Sequence, residues 1–309
     1  MTSGTTHTPL DERRAELERA LARWLPGEPD VPPELATAMR YSLLGGGKRL
    51  RPMLCLAACD AVGGDWRVAL PAACALEFIH TYSLIHDDLP AMDDDTMRRG
   101  RPTLHVVAGE GMAILAGDGL LTEAFDLIVR EPPAGADSVI TGRKLRVVGL
   151  LAGAAGAAGM VGGQAIDLAC VAPPPGQAPR PPLDLAGLQQ MHRKKTGALI
   201  RASATIGAVM GGAPDEIVAA IDEAAADLGL AFQIVDDILD VEGASAELGK
   251  TAGKDAAAGK PTYPALLGLE PSRELAAACL ARAESRLTRL GLPSGQLLAL
   301  GRAMVERSS

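Results

Sequence analysis

The stretch VALPAACALEFIHTYSLIHDD, Val68 to Asp88, limits the possible folds more than any other part of the chain. It is almost wholly apolar, yet it runs straight into two aspartates. A helix with no polar face has to be surrounded, so this one belongs inside a larger bundle. Hydrophobic residues make up 48% of the 309 positions and aromatics only 3%. The core is therefore built from Ala, Leu, Val and Ile. That suits close-packed helices better than an aromatic-rich sandwich.

The rest of the chain repeats the helical pattern. PLDERRAELERALARWL places Leu10, Leu17, Leu21 and Trp24 near one face. ELATAMRYSLL is stopped by Gly45, Gly46 and Gly47, and RPMLCLAACDAVGG opens on Pro52 and closes on Gly63 and Gly64. GMAILAGDGLLTEAFDLIVR, GLLAGAAGAAGMVGGQAIDLA and LQQMHRKKTGALIRASATIGAVMGG each read as one helix. PDEIVAAIDEAAADLGLAFQIVDDILDVEG again leads an apolar helix into aspartates. Strand alternation is absent. The expectation is an all-α protein, one domain over residues 1–309. Residues 1–30 form an N-terminal helix and tail, and residues 171–187 a Pro-rich surface loop.

Net charge is −8, which argues against nucleic acid as a partner. Basic residues nonetheless gather at GKRLRP, RRGRP, HRKKTG and GKTAGKDAAAGK, a pattern suited to a small anionic ligand. Cys55, Cys59, Cys74, Cys170 and Cys279 form no C-x-x-C pair and read as thiols in a reducing compartment. The first residues lack an apolar signal core, so a cytoplasmic location is expected. Gly149 to Ala169 is nearly long enough to span a membrane, but Gly and Ala contribute little transfer energy. No membrane span is expected.

The acidic clusters carry the chemistry. IHDDLPAMDDDTMRRG places Asp87, Asp88 and Asp93 ahead of Arg98 and Arg99, and FQIVDDILD supplies Asp236, Asp237 and Asp240. On a helix of about 3.6 residues per turn, Asp236 and Asp240 share a face. Pro90 breaks the regular turn between Asp87 and Asp93. Carboxylates crowded beside apolar sequence protonate unless a cation compensates them. Mg²⁺ prefers one or two carboxylates together with waters and substrate phosphates. Two facing clusters would hold several such ions bridging to a diphosphate, and nearby Arg and Lys residues would meet the remaining phosphate oxygens.

DDLPAMD followed by RRG resembles the first aspartate-rich motif of the trans-type polyprenyl diphosphate synthases, and DDILD resembles their second. GGGKRLRP, GGQAIDL, HRKKTGALI, FQIVDDILD and GKTAGKDAAAGKPTYPALLG follow in the family's order, over Leu35 to Leu269. The resemblance implies the isoprenoid synthase fold, a single large helical bundle with a central cavity, and a homodimer. It implies head-to-tail condensation of isopentenyl diphosphate with an allylic diphosphate, with three Mg²⁺ ions once substrate is bound.

The resemblance also distributes roles. Asp87, Asp88 and Asp93 hold metal from one wall, Asp87 and Asp93 most directly, and Asp236, Asp237 and Asp240 from the other. Arg98, Lys195 and Lys250 hold the allylic diphosphate. Lys48, Arg51, His80 and Arg99 hold isopentenyl diphosphate. Lys260 joins the substrate-binding cations, and it or Lys254 would otherwise only screen charge over the site. Thr196, Gln164 and Gln233 aim oxygen dipoles at the allylic cation. Tyr82, about 7.5 Å along the helix from Asp87, floors the chain cavity, with the smaller Ser83 beside it. Together with the longer first motif this resembles bacterial farnesyl diphosphate synthases and favours a C15 product, while GKTAGKD also resembles geranylgeranyl synthases and keeps a C20 product as the alternative. DDILD and GKRLRP argue against a terpene cyclase. The intact aspartates and arginines argue against a non-catalytic subunit of a heteromeric synthase.

Overall fold

The computed structural model of the chain describes residues 9–171, 183–246 and 261–306. In chain order it forms α1 (Pro9–Trp24), α2 (Pro33–Leu43), α3 (Leu50–Ala61), α4 (Trp66–Asp87), a hairpin of β1 (Met97–Arg98) and β2 (Arg101–Pro102), α5 (Leu104–Ala108) and α6 (Glu110–Arg130). There follow α7 (Ser138–Ala155), α8 (Met160–Val171), α9 (Leu185–His192), a π-helical turn (Arg193–Gly197), α10 (Ala198–Gly211), α11 (Asp215–Ala246), α12 (Tyr263–Leu267), α13 (Leu269–Arg289) and α14 (Gly295–Val305).

The apolar helix is buried as its composition requires. Asp65 caps α4 by accepting a hydrogen bond from the Arg67 backbone N–H at 3.1 Å. Leu70, Leu76, Phe78, Ile79 and Ile85 are all buried, and beyond its first turn the partly exposed positions gather toward its C-terminal end, among them Ser83, Leu84, His86 and Asp87. Helices α3, α6 and α10 pack around it. A second apolar cluster joins the middle of α11 to α12 and α13 through Ile234, Ile238, Tyr263 and Cys279.

One buried ion pair fastens the front of this bundle. The Arg49 side chain is fully enclosed and takes the left-handed backbone conformation, φ 50°. Its guanidinium donates to Glu77 on α4 at 2.7 Å, to Glu18 on α1 at 2.8 Å and to the Leu43 carbonyl at 2.8 Å. Of the three cations in GKRLRP, this one serves the fold.

Several sequence expectations need correction. The stretch read as one helix over Gly149 to Ala169 is two, because Gly156 to Gly159 interrupt it between α7 and α8. LQQMHRKKTGALIRASATIGAVMGG is also divided, by the π turn. A two-residue hairpin stands where no strand was expected, closed at Arg98 and Arg101 across Arg99 and Gly100. Of the expected Pro-rich loop 171–187, residues 172–182 lie outside the described residues; at its ends, Val171 belongs to α8 and Asp184 caps α9 from Leu185. Among the described residues, two stretches are long and apolar enough to cross a membrane by composition, Trp66–Asp87 and Ser138–Cys170. The first is largely enclosed in the fold, and the second contains the interruption at Gly156.

Candidate active site

Helix α4 ends at Asp87, and the chain then folds back on itself. The Asp93 N–H reaches the Asp87 carbonyl at 2.8 Å, and the Asp95 N–H reaches the Asp88 carbonyl at 3.2 Å. Asp94 adopts φ 50° to make the turn. This non-helical return brings Asp93 to the same side as Asp87, which a straight helix would not do.

Asp87 and Asp93 face Asp236, Asp237 and Asp240 of α11 across a cavity of about 480 Å³. Arg98, Lys195, Thr196 and Gln233 are also part of its polar lining, with Asp167, His192 and Thr262. Asp237 gives one oxygen to the Tyr263 N–H at 2.9 Å, which ties α11 to α12. The Gln233 amide lies 3.3 Å from Asp236. Burial pushes the Asp87 carboxyl up to about 6; Lys195 opposes the shift and Asp93 adds to it.

Asp88 departs from its expected role. Its side chain turns away from this cavity, because one residue on a helix rotates a side chain by about 100°. It accepts hydrogen bonds from Arg98 at 2.7 and 2.6 Å, and Asp95 supports the same guanidinium at 3.6 Å. Asp88 therefore positions Arg98, which itself lines the acidic cavity.

Lys195 sits between the two lobes of the site. The π turn carries it and Thr196, and its ammonium stands 2.5 Å from the buried carboxylate of Asp167 on α8. Gly163, one turn before Asp167, lies directly against the Lys195 backbone; a Cβ there would fall within 2.5 Å of the Lys195 Cα. Asp167 was missed as a site residue in the sequence. Its only signal was its place in GGQAIDL beside Gln164, because its partner is far away in the chain.

Leu84, Asp87, Lys195 and Thr196 also line a second, more apolar cavity of about 430 Å³. Arg51 and His80 stand at this cavity, and Tyr82, Ser83, Met160 and Leu168 form part of its walls. Arg51 approaches His80 Nε2 at 3.4 Å. Burial, reinforced by Arg51, holds His80 well below the usual imidazole range, so it is neutral. The Gln164 Oε1 atom is buried beside the cavity with no hydrogen-bond partner among the described residues. Tyr82 is buried, and the Ser83 hydroxyl is turned back to the His80 carbonyl at 2.9 Å.

The other expected cations are spread more widely. Arg99 donates to the Gly46 carbonyl, and Arg14 of α1 holds the neighbouring Gly47 carbonyl at 2.8 Å, so two arginines bracket the glycine loop. Lys48 is exposed at the end of that loop. Lys250, Lys254 and Lys260 lie outside the described residues.

The donor set fits Mg²⁺, because it is made of oxygens and has carboxylates on both walls. Among the described residues, no three carboxylate, imidazole or thiolate groups gather into a preformed metal site. Mg²⁺ retains waters and takes substrate phosphates, so a diphosphate would complete such a site.

The sequence profile described as Polyprenyl synthetase matches residues 32–289. Farnesyl diphosphate synthase from Geobacillus stearothermophilus is 49% identical over 270 residues, 86% of this chain and 85% of that protein. The Arabidopsis thaliana protein named heterodimeric geranylgeranyl pyrophosphate synthase large subunit 1, chloroplastic, is 48% identical over 286 residues, 90% of this chain and 73% of that one. Among solved structures, the apo FPP/GFPP synthase of Zymomonas mobilis superposes with a TM-score of 0.82 at 37% identity, covering 96% and 97% of the two chains. The shared architecture is the isoprenoid synthase fold. The matched segment contains both aspartate walls and the lysine between them, so the chain belongs to the polyprenyl synthetase family and is a prenyltransferase.

Proposed function

We propose that this enzyme condenses isopentenyl diphosphate with dimethylallyl or geranyl diphosphate and releases farnesyl diphosphate. The observation that carries the reading is the joining of an acidic cavity to an apolar one through Asp87, Lys195 and Thr196. A diphosphate headgroup suits the first cavity and a prenyl tail the second.

In this reading Asp87 and Asp93 on one wall, and Asp236 with its neighbours on the other, would hold Mg²⁺. The metal, when bound, supplies charge neutralisation for the departing diphosphate. Lys195 and Arg98 bind the phosphate oxygens and are held in place by Asp167 and Asp88. The allylic C–O bond breaks with its electrons leaving on the diphosphate, the alkene of isopentenyl diphosphate forms the new C–C bond, and the proton lost passes to the departing diphosphate. Thr196, Gln164 and Gln233 present oxygen atoms toward the positive charge. Arg51 and neutral His80 receive the second diphosphate together with Arg99 and Lys48.

Buried Tyr82 favours the farnesyl product. Small Ser83 beside it supports a geranylgeranyl product as the second reading, and relatives with either product name are similar to this chain. A homodimer is part of the proposal. Val106, Val107, Ile114, Leu115, Val139 and Leu145 are exposed on α5, α6 and α7, and a second copy would cover them. So is a reducing, cytoplasmic setting, supported by five free thiols.

Purified protein with Mg²⁺, geranyl diphosphate and isopentenyl diphosphate tests the reading. Diphosphate release is expected, with farnesol as the main alcohol after dephosphorylation. No diphosphate release would overturn it.

A further inference from the structure

His86 follows Tyr82 by one turn of α4, and both line the apolar cavity. Side chains on a helix lean toward its N-terminus, so the imidazole leans back over the tyrosine. The two rings meet edge to face, with centroids 5.7 Å apart and planes at 78°. On its other side the imidazole lies on α6. Its Nε2 is 3.1 Å from the Ile114 carbonyl, which can only accept, so Nε2 carries the proton. The ring rests on Gly117. A Cβ at that position would fall onto Nε2, 2.6 Å from Cδ2 and 2.9 Å from Cε1. Only glycine leaves room for the imidazole there.

We propose that the seat formed by His86 and Gly117 determines product length, together with Tyr82. The inference rests on the prenyl-transfer reading and deepens it. Gly117 sets how far the imidazole withdraws from the cavity, and the imidazole in turn fixes the Tyr82 ring. Neither residue lines the acidic cavity that suits the diphosphate headgroup, so both act on where the growing chain stops. The signal is hard to see in sequence, because His86 sits beside the aspartates as though it belonged to them.

The two halves of the seat make opposite predictions. In His86→Ala, the cavity gains the volume of the imidazole and Tyr82 loses its edge contact. The ratio of longer to wild-type product should rise on the order of tenfold, the discrimination typical of small changes in an apolar pocket. In Gly117→Ala, the added methyl displaces the imidazole into the cavity, and the ratio of shorter to wild-type product should rise. In the double variant the methyl has no ring to displace, so the shortening should vanish and the longer products should return. The assay is chromatography of dephosphorylated products from the full-length enzyme with Mg²⁺, geranyl diphosphate and isopentenyl diphosphate. If Gly117→Ala does not fold, His86→Ala and His86→Asn carry the test. An active wild type whose product lengths are unchanged in every folded variant overturns the inference. Equal shortening in the single and double Gly117→Ala variants also overturns it, because the methyl would then act without the ring. A wild type that releases no diphosphate overturns instead the reading on which the inference stands.

Discussion

The Lys195 ammonium stands 2.5 Å from the Asp167 carboxylate, and this contact joins α8 to the π turn beside both cavities. Asp167 is buried, while Lys195 keeps partial access to solvent. The geometry holds a flexible lysine on one side of the acidic cavity before any substrate arrives. Pre-positioning of this kind matters because a displacement of about 1 Å can cost on the order of 100-fold in rate. Asp167→Asn should therefore lower kcat/KM for the allylic substrate by about 10- to 100-fold. The loss should be smaller for isopentenyl diphosphate, and Asp167→Glu should restore part of it. Steady-state kinetics with each substrate varied in turn would check this. Equal losses for both substrates, with no rescue, would mean that the pair only supports the fold.

Asp87 gives a pH dependence of defined sign. Burial pushes its carboxyl up to about 6, against a usual value near 3.8. Between those values the folded protein binds this proton more tightly than the unfolded chain does. The metal-free fold therefore gains stability from this group as pH falls from about 6 toward 4, and carries the cost of an ionised, buried Asp87 above that window. Asp87→Asn removes the cost. Without metal, the variant should melt above the wild type at pH 7.5, and the gap should close as pH falls through about 6. Mg²⁺ with inorganic diphosphate should raise the wild-type melting temperature at pH 7.5 more than that of the variant. A difference in melting temperature that does not vary with pH would contradict the assignment.

The pair of Arg49 and Glu77 is a stability element, and its test is separate from catalysis. Both side chains are enclosed, and the other partner, Glu18, is partly exposed. Removing one member of a buried pair leaves an uncompensated charge, which costs about 3–5 kcal/mol. Glu77→Gln should lose stability of that order in urea denaturation. Glu77→Leu combined with Arg49→Met should lose less, because neither charge is then stranded. A surface-like loss below about 1 kcal/mol for Glu77→Gln would show that Glu18 suffices.

What could be read in the sequence follows from which interactions are local. The apolar circumference of α4 demanded burial, and Pro90 announced the turn that brings Asp93 beside Asp87. The alternative uses of like charges were not legible. Lys48, Arg49 and Arg51 look equivalent in GKRLRP, yet a left-handed backbone at Arg49 sends that guanidinium inward. Asp88 looks like a twin of Asp87 until the helix rotation gives it to Arg98. Asp167 has no nearby charge in sequence, because packing of α8 at Gly163 supplies its partner. The π turn left no distinct signal, since Arg and Lys suit an ordinary helix and a single Thr or Gly does not mark a π turn.

Tyr82 provides the last test, because it separates the floor of the cavity from the seat that steadies it. Its ring is buried, five residues before Asp87, on the helix face that lines the apolar cavity. Tyr82→Ala removes the ring and leaves the diphosphate groups untouched. The variant should retain diphosphate release within about threefold of wild type, since no phosphate contact is lost. Its products should lengthen by at least one isoprene unit. Ser83→Phe should act in the opposite direction, because a ring beside Tyr82 fills space that the small serine leaves open. Product chromatography for the two variants would decide the matter. If Tyr82→Ala kept the wild-type product, the chain would be stopped by the α8 side of the cavity, where Met160 and Leu168 stand.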